Sequence, residues 1–180
     1  CWPVASWSSL DYYGRWKALH YAARRFYAPV LLSIEDLPPR QKIFITNDTL
    51  EPSVGEVRWS LETLGGKTLD SGRAPVSAAA QAASLVAELD FSAQVSEKTQ
   101  RDMVFVAELW QGDQRIAIQT AGFVPIKHLS LVDPLVKADL WIENNQLFLD
   151  LSSNSLALLL ECSLAGSDVA QARAPPVDVD

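Results

Sequence analysis

The sequence predicts a mainly β protein: an immunoglobulin-like β-sandwich preceded by one amphipathic helix and followed by a partial second β-sandwich. Three observations predict it. Apolar residues recur at helical spacing only near the start of the chain. From Pro29 the period changes to two, in short runs separated by turn residues. After Pro125 a new hairpin pattern begins and breaks off after a few strands.

Residues 1–10 read as a loop, because Pro3 and the cluster Ser6, Ser8 and Ser9 discourage regular structure. From Asp11, the residues Tyr12, Trp16, Leu19, Ala23, Phe26 and Tyr27 trace one face of a helix, with Arg15, Lys17 and Arg24 between them. Ser9 or Asp11 is placed to cap its start, and Pro29 ends it. Residues 28–124 follow as the sandwich. Val57, Trp59 and Leu61 alternate with Glu56, Arg58, Ser60 and Glu62. Leu85, Ala87, Leu89 and Phe91 form a second set, and Met103, Phe105, Ala107 and Leu109 a third. Ile43 and Ile45 flank Phe44, and Ile116 and Ile118 flank Ala117. Asn47-Asp48, Gly65-Gly66 and Gly112-Asp113 supply turns between strands. This spacing is that of an immunoglobulin-type sandwich, with Trp59, Leu89, Phe105 and Ile118 expected in its core. The alanine-rich run Ser77–Ala83 is expected to form a connection with one helical turn, by its propensity. In residues 125–180, Val136–Glu143 and Gln146–Leu151 pair around Asn144-Asn145, and Leu156–Cys162 is expected as a third strand.

The chain has 180 residues, 48 % of them apolar, which is enough for a real core. Its net charge of −7 is unevenly spread: residues 1–35 carry Arg15, Lys17, Arg24 and Arg25 against only Asp11 and Glu35. The acidic remainder lacks the basic face a nucleic-acid binder needs, so no nucleic-acid partner is expected. No apolar run is long enough for a transmembrane helix, no signal-peptide pattern opens the chain, and no membrane partner is expected. With Met103 as its only methionine, the chain reads as a processed protein or a piece of a longer one. Cys1 and Cys162 do not make a disulfide framework.

No motif marks catalysis, metal or cofactor binding, and none of these is expected: His20 and His128 lie in different units, and CxxC, HExxH, GxSxG and glycine-rich phosphate loops are absent. The aromatic residues are the sharper signal. Trp2 and Trp7 stand in the opening loop, where an indole offers a flat surface for the C–H face of a sugar or simply packs the loop onto a core.

The stretch Cys1-Trp2-Pro3-Val4-Ala5-Ser6-Trp7-Ser8-Ser9-Leu10-Asp11-Tyr12-Tyr13-Gly14-Arg15-Trp16-Lys17-Ala18-Leu19-His20-Tyr21 resembles the end of the catalytic barrel in β-mannosidases of glycoside hydrolase family 2. Phe123-Val124-Pro125-Ile126-Lys127-His128-Leu129-Ser130-Leu131 resembles that family's link into its last immunoglobulin-like domain. The resemblance implies that residues 1–27 are the last loop and helix of a (β/α)8 barrel, truncated. Residues 28–124 would be the sandwich that follows, and residues 125–180 the start of a C-terminal immunoglobulin-like domain. It implies a parent that cleaves terminal non-reducing β-D-mannose from oligosaccharides with retention, using two glutamates that have no counterpart in this chain. It assigns Trp2 and Trp7 as substrate-binding residues near the terminal mannose. The compartment stays open, cytoplasm or periplasm of a bacterium. The alternative is a free-standing immunoglobulin-like module that binds carbohydrate or protein. The opening helix distinguishes the two, since a free module has no use for an aromatic stripe made to be covered by a barrel. That stripe, Trp16, Leu19, Ala23 and Phe26, is expected either to fold back on the sandwich or to mediate self-association.

Overall fold

The computed structural model describes residues 8–160 and residue 162. Among them, one helix, α1 (Ala18–Phe26), precedes nine strands: β1 (Val30–Leu37), β2 (Arg40–Asn47), β3 (Ser53–Thr63), β4 (Thr68–Ala78), β5 (Ala82–Asp90), β6 (Met103–Gln111), β7 (Gln114–Gly122), β8 (Lys137–Glu143) and β9 (Gln146–Ser152). Strands β1–β7 form two antiparallel sheets, ordered β1-β2-β5 and β4-β3-β6-β7, which pack face to face as an immunoglobulin-like sandwich. The expected mainly β architecture is the observed one.

The core lies between the sheets. Leu32, Ile43 and Ile45 from the three-stranded sheet meet Val57, Leu61, Phe105, Ala107 and Leu109 from the four-stranded one. Phe91 and Phe123 close it, with ring centroids 5.5 Å between Phe91 and Phe105 and 6.1 Å between Phe91 and Phe123. Phe105 is fully buried; Trp59 and Leu89 are half-buried against the core. Ile118 has the opposite phase: it pairs with Glu108, while Ala117 pairs with Leu109 and packs on the core. Leu85 is also turned outward, 52 % exposed, because a bulge opposite Ile43 and Phe44 inserts Val86 and re-phases β5.

Asn47 builds one corner of the sandwich. It is fully buried, and its Nδ2 donates to the carbonyls of Glu51 at 2.8 Å, Ala79 at 3.1 Å and Ala78 at 3.3 Å. Its Oδ1 accepts from the Thr49 amide at 3.0 Å and the Thr49 hydroxyl at 2.7 Å. This side chain ties the end of β2 to the crossing from β4 to β5. The alanine-rich run is therefore not helical: Ser77 and Ala78 finish β4, Ala79–Gln81 turn, and Ala82 opens β5. The Gln81 amide bonds the Thr49 carbonyl at 3.2 Å, so pairing to the corner overrides local propensity.

The helix is shorter than the expected span of 11–27. Asp11 Oδ1 accepts from the amides of Tyr13 at 2.8 Å and Arg15 at 2.9 Å, and Gly14 takes a left-handed φ of 78°. The carboxylate thus closes a tight loop instead of capping a helix. Leu10 bridges to Trp16, and α1 begins only after Lys17. No residue of α1 is buried; Leu19 and Phe26 are 48 % and 46 % exposed. The helix does not fold back to cover its stripe on the sandwich.

After a 3-10 turn at Ile126–His128, β8 and β9 pair as a ribbon around Asn144 and Asn145, whose φ values of 49° and 61° suit a two-residue hairpin turn. The expected third strand does not form over residues 156–160. That segment bonds the sandwich instead: the Leu156 amide and the Ser155 hydroxyl donate to the Leu64 carbonyl at 2.7 and 3.0 Å.

Candidate functional site

Trp2 and Trp7 lie outside the described residues. What the structure shows is the scaffold that follows them. The Ser9 hydroxyl shares a hydrogen bond with His20 Nδ1 at 3.0 Å, and the Lys17 amide donates to the Ser9 carbonyl at 3.0 Å. Trp16 packs its ring against His20, centroid to centroid 4.1 Å, and against Tyr21 at 5.2 Å. The incoming loop is thereby fixed to the first turn of α1. Burial pushes the Asp11 carboxyl up, but the amides of Arg15 and Tyr13 and the Arg15 guanidinium outweigh it and hold it below its ordinary value. The loop displays Tyr12 and Tyr13, 81 % and 79 % exposed, as an edge-to-face pair with centroids 5.3 Å apart. His20, read as a residue without metal spacing, joins the loop to the helix through Ser9 and Trp16.

A second cluster, on the outer face of the four-stranded sheet, was not legible in the sequence. It runs across neighbouring strands. Arg73 on β4 lies 3.5 Å from Glu56 on β3, and Arg58 Nε donates to the same carboxylate at 2.8 Å. The Arg58 guanidinium covers the Trp110 ring at 4.2 Å. Trp110 Nε1 donates to Glu108 at 2.9 Å, and Arg115 on β7 donates to the other Glu108 oxygen at 2.9 Å. The alternation Glu56, Arg58 is visible in the sequence, but the cross-strand partners depend on register. The Arg58 hydrogen bond, opposed by burial and aided by Arg73, holds Glu56 below its ordinary value. Carboxylates used this way clamp strands together. A retaining glycosidase pair needs the reverse for one member, a carboxyl kept protonated beside an ionised partner.

A cavity of about 340 Å³ lies where the segment after β9 returns to the sandwich, lined by Leu64, Val104, Val106, Thr120, Asn154 and Leu156 among others. Its walls mix aliphatic side chains with Glu62, Thr63, Thr120 and the polar run of residues 152–155. Among the described residues, no group of three His, Cys, Asp or Glu side chains could hold a metal, and no helix is long and apolar enough to cross a membrane.

Comparison with known proteins agrees with this architecture. Residues 40–128 match the family model of the mannosidase Ig/CBM-like domain, and this range spans β2–β7. The chain is 32 % identical over 148 residues to β-mannosidase A of Aspergillus terreus, which covers 74 % of this chain and 16 % of that protein. It is 42 % identical over 57 residues to the β-mannosidase of Capra hircus, covering 25 % of this chain and 6 % of that protein. The crystal structure of the β-D-mannosidase from Dictyoglomus thermophilum superposes with a TM-score of 0.76 and 26 % identity, over 92 % of this chain and 20 % of that one. The chain thus spans about a fifth or less of the relatives it matches along most of its length. A shared sandwich, a matching domain model and a structural match over 92 % of the chain lead to one conclusion: this chain belongs to the β-mannosidase family and carries its Ig/CBM-like domain.

Proposed function

We propose that this chain is the non-catalytic C-terminal part of an exo-β-mannosidase that removes terminal β-D-mannose with retention. On this reading residues 1–27 are the last loop and helix of the catalytic barrel, residues 28–124 a supporting sandwich, and residues 125–180 the start of a further immunoglobulin-like domain. The acid and the nucleophile come from a barrel outside these residues, and Trp2 and Trp7 approach the terminal mannose. The observation that carries the reading is the match over 92 % of the chain to 20 % of a much longer β-D-mannosidase. The uncovered stripe of α1 supports it, because a helix made to lie against a barrel needs that apolar face. Self-association through the same face is the outcome expected when the barrel is missing.

The test uses p-nitrophenyl β-D-mannopyranoside. A longer polypeptide that includes a barrel before Cys1 is expected to hydrolyse it, with Trp2→Ala raising KM. The 180-residue chain is expected to show background hydrolysis only. Turnover by the chain itself, lost on mutating one of its own carboxylates, would overturn the assignment.

A further inference from the structure

The β8–β9 ribbon has two unlike faces. Its register puts Ala138, Leu140, Ile142, Leu147, Leu149 and Leu151 together on one face, all aliphatic. This is the composition of a core-facing surface. The opposite face should then be wholly polar, and most of it is: Lys137 stands opposite Ser152, Asp139 opposite Asp150, and Glu143 opposite Gln146. Between the last two pairs stand Trp141 and Phe148, ring centroids 5.5 Å apart, nearly parallel at 13°, and still 46 % and 37 % exposed.

We infer that this face is a docking patch for a neutral oligosaccharide. The pair offers aromatic surface for the C–H face of a hexose. The three carboxylates around it are acceptors only, and sugar hydroxyls are donors. No side chain of Asp139, Glu143, Gln146 and Asp150 has a hydrogen-bond or ion-pair partner among the described residues, so all are available to a ligand. Two carboxylates directly opposite each other weaken a ribbon, and hydroxyl donors between them relieve that repulsion. Charge narrows the class of ligand further: three carboxylates against one cation, Lys137 at the ribbon's end, disfavour phosphates, nucleic acids and anionic lipid. The inference rests on the β-mannosidase reading for the choice of sugar, and it adds a second contact with the substrate chain, on residues 137–152.

The experiment titrates the 180-residue chain with β-1,4-mannohexaose, followed by calorimetry and by the indole N–H resonance of Trp141. Saturable binding is expected, shifting that resonance. Trp141→Ala is expected to weaken it about tenfold, the loss of one stacking contact. Asp139→Asn, which leaves the ring pair in place, serves as the second variant and is expected to weaken binding without changing the unfolding midpoint. Absence of binding, or equal binding by both variants, overturns the patch. So does preferential binding of a lysine-rich peptide that salt abolishes, which would identify a cationic protein segment as the occupant. None of these outcomes bears on hydrolysis of p-nitrophenyl β-D-mannopyranoside by the longer polypeptide, so the two readings fail separately.

Discussion

The indole of Trp59 on β3 lies directly against the backbone of Gly72, its partner on β4. A Cβ added at position 72 would stand 2.5 Å from Trp59 Cζ2 and 2.7 Å from Cε2. The absence of a side chain at 72 is what lets the ring lie flat and reach Phe91, 5.8 Å away between centroids. Gly72→Ala is therefore expected to destabilise the sandwich by about 2 kcal/mol, as an overpacked core does. Urea unfolding followed by tryptophan fluorescence measures it; an unchanged midpoint would show that the ring has room to move.

Phe105 sits at the centre of the aromatic group and is fully buried. Phe105→Ala is expected to cost about 3–5 kcal/mol. A loss below 1 kcal/mol, by the scale for exposed positions, would contradict its place in the core.

Asn47 uses both ends of its amide at the corner. Asn47→Ala leaves three carbonyls and the Thr49 amide short of a partner and is expected to cost about 3 kcal/mol. Asn47→Asp keeps the acceptor but turns an oxygen toward the carbonyls of Ala78, Ala79 and Glu51. Its loss of stability is expected to be larger at pH 7 than at pH 4, where protonation restores one donor.

The outer-face ladder makes a prediction about acid. Glu56 is held below its ordinary value of 4.5, so its ion pairs contribute fully above that pH and are lost as pH falls through the lowered value. Asp90, lowered by the Ser92 amide and hydroxyl and by Arg40, behaves alike. Glu56→Gln is expected to flatten the fall in urea midpoint between pH 5 and pH 3. An unaltered acid limb would show that the ladder contributes nothing measurable to folding.

On α1, Leu19→Glu and Phe26→Glu are expected to change sandwich stability by no more than about 0.5 kcal/mol, because neither residue is buried. Sedimentation of the double variant checks the other half of the argument. If the stripe drives self-association, the variant is smaller than the wild type; equal sizes would leave the helix without that role.

Most of the sandwich could be read from alternation alone, because a strand with one buried face repeats every two residues. β3 and β6 show this directly: Val57, Leu61, Met103, Phe105, Ala107 and Leu109 are all buried as expected. The misses have local causes. Leu85 and Ile118 carry side chains as apolar as their neighbours, yet the bulge at Val86 and the register of β7 decide their phase. Tyr12 belongs to the periodic stripe, but the Asp11 carboxylate captured the amides that a helix would have used. Leu156 has strand composition and lacks a strand beside it, so its amide turns to Leu64. Of the candidate site, Trp2 and Trp7 rest on the family resemblance. The ladder around Trp110 joins residues far apart in sequence, which periodicity within one strand does not connect.

The order of strands has a consequence for the timing of folding. β3 lies between β4, its hairpin neighbour, and β6, which follows only after β5 and a long loop: Thr63 pairs with Met103 and Glu56 with Trp110. During synthesis the β1–β2 and β3–β4 hairpins can close early, while Val57 and Leu61 wait for Leu109 and Phe105 to emerge. Non-local closure of this kind places sandwiches in the slow range, milliseconds to seconds. The arrival of β6 is thus the committing event, and a ribosome stalled before Met103 would hold a chain whose central strand has one open edge.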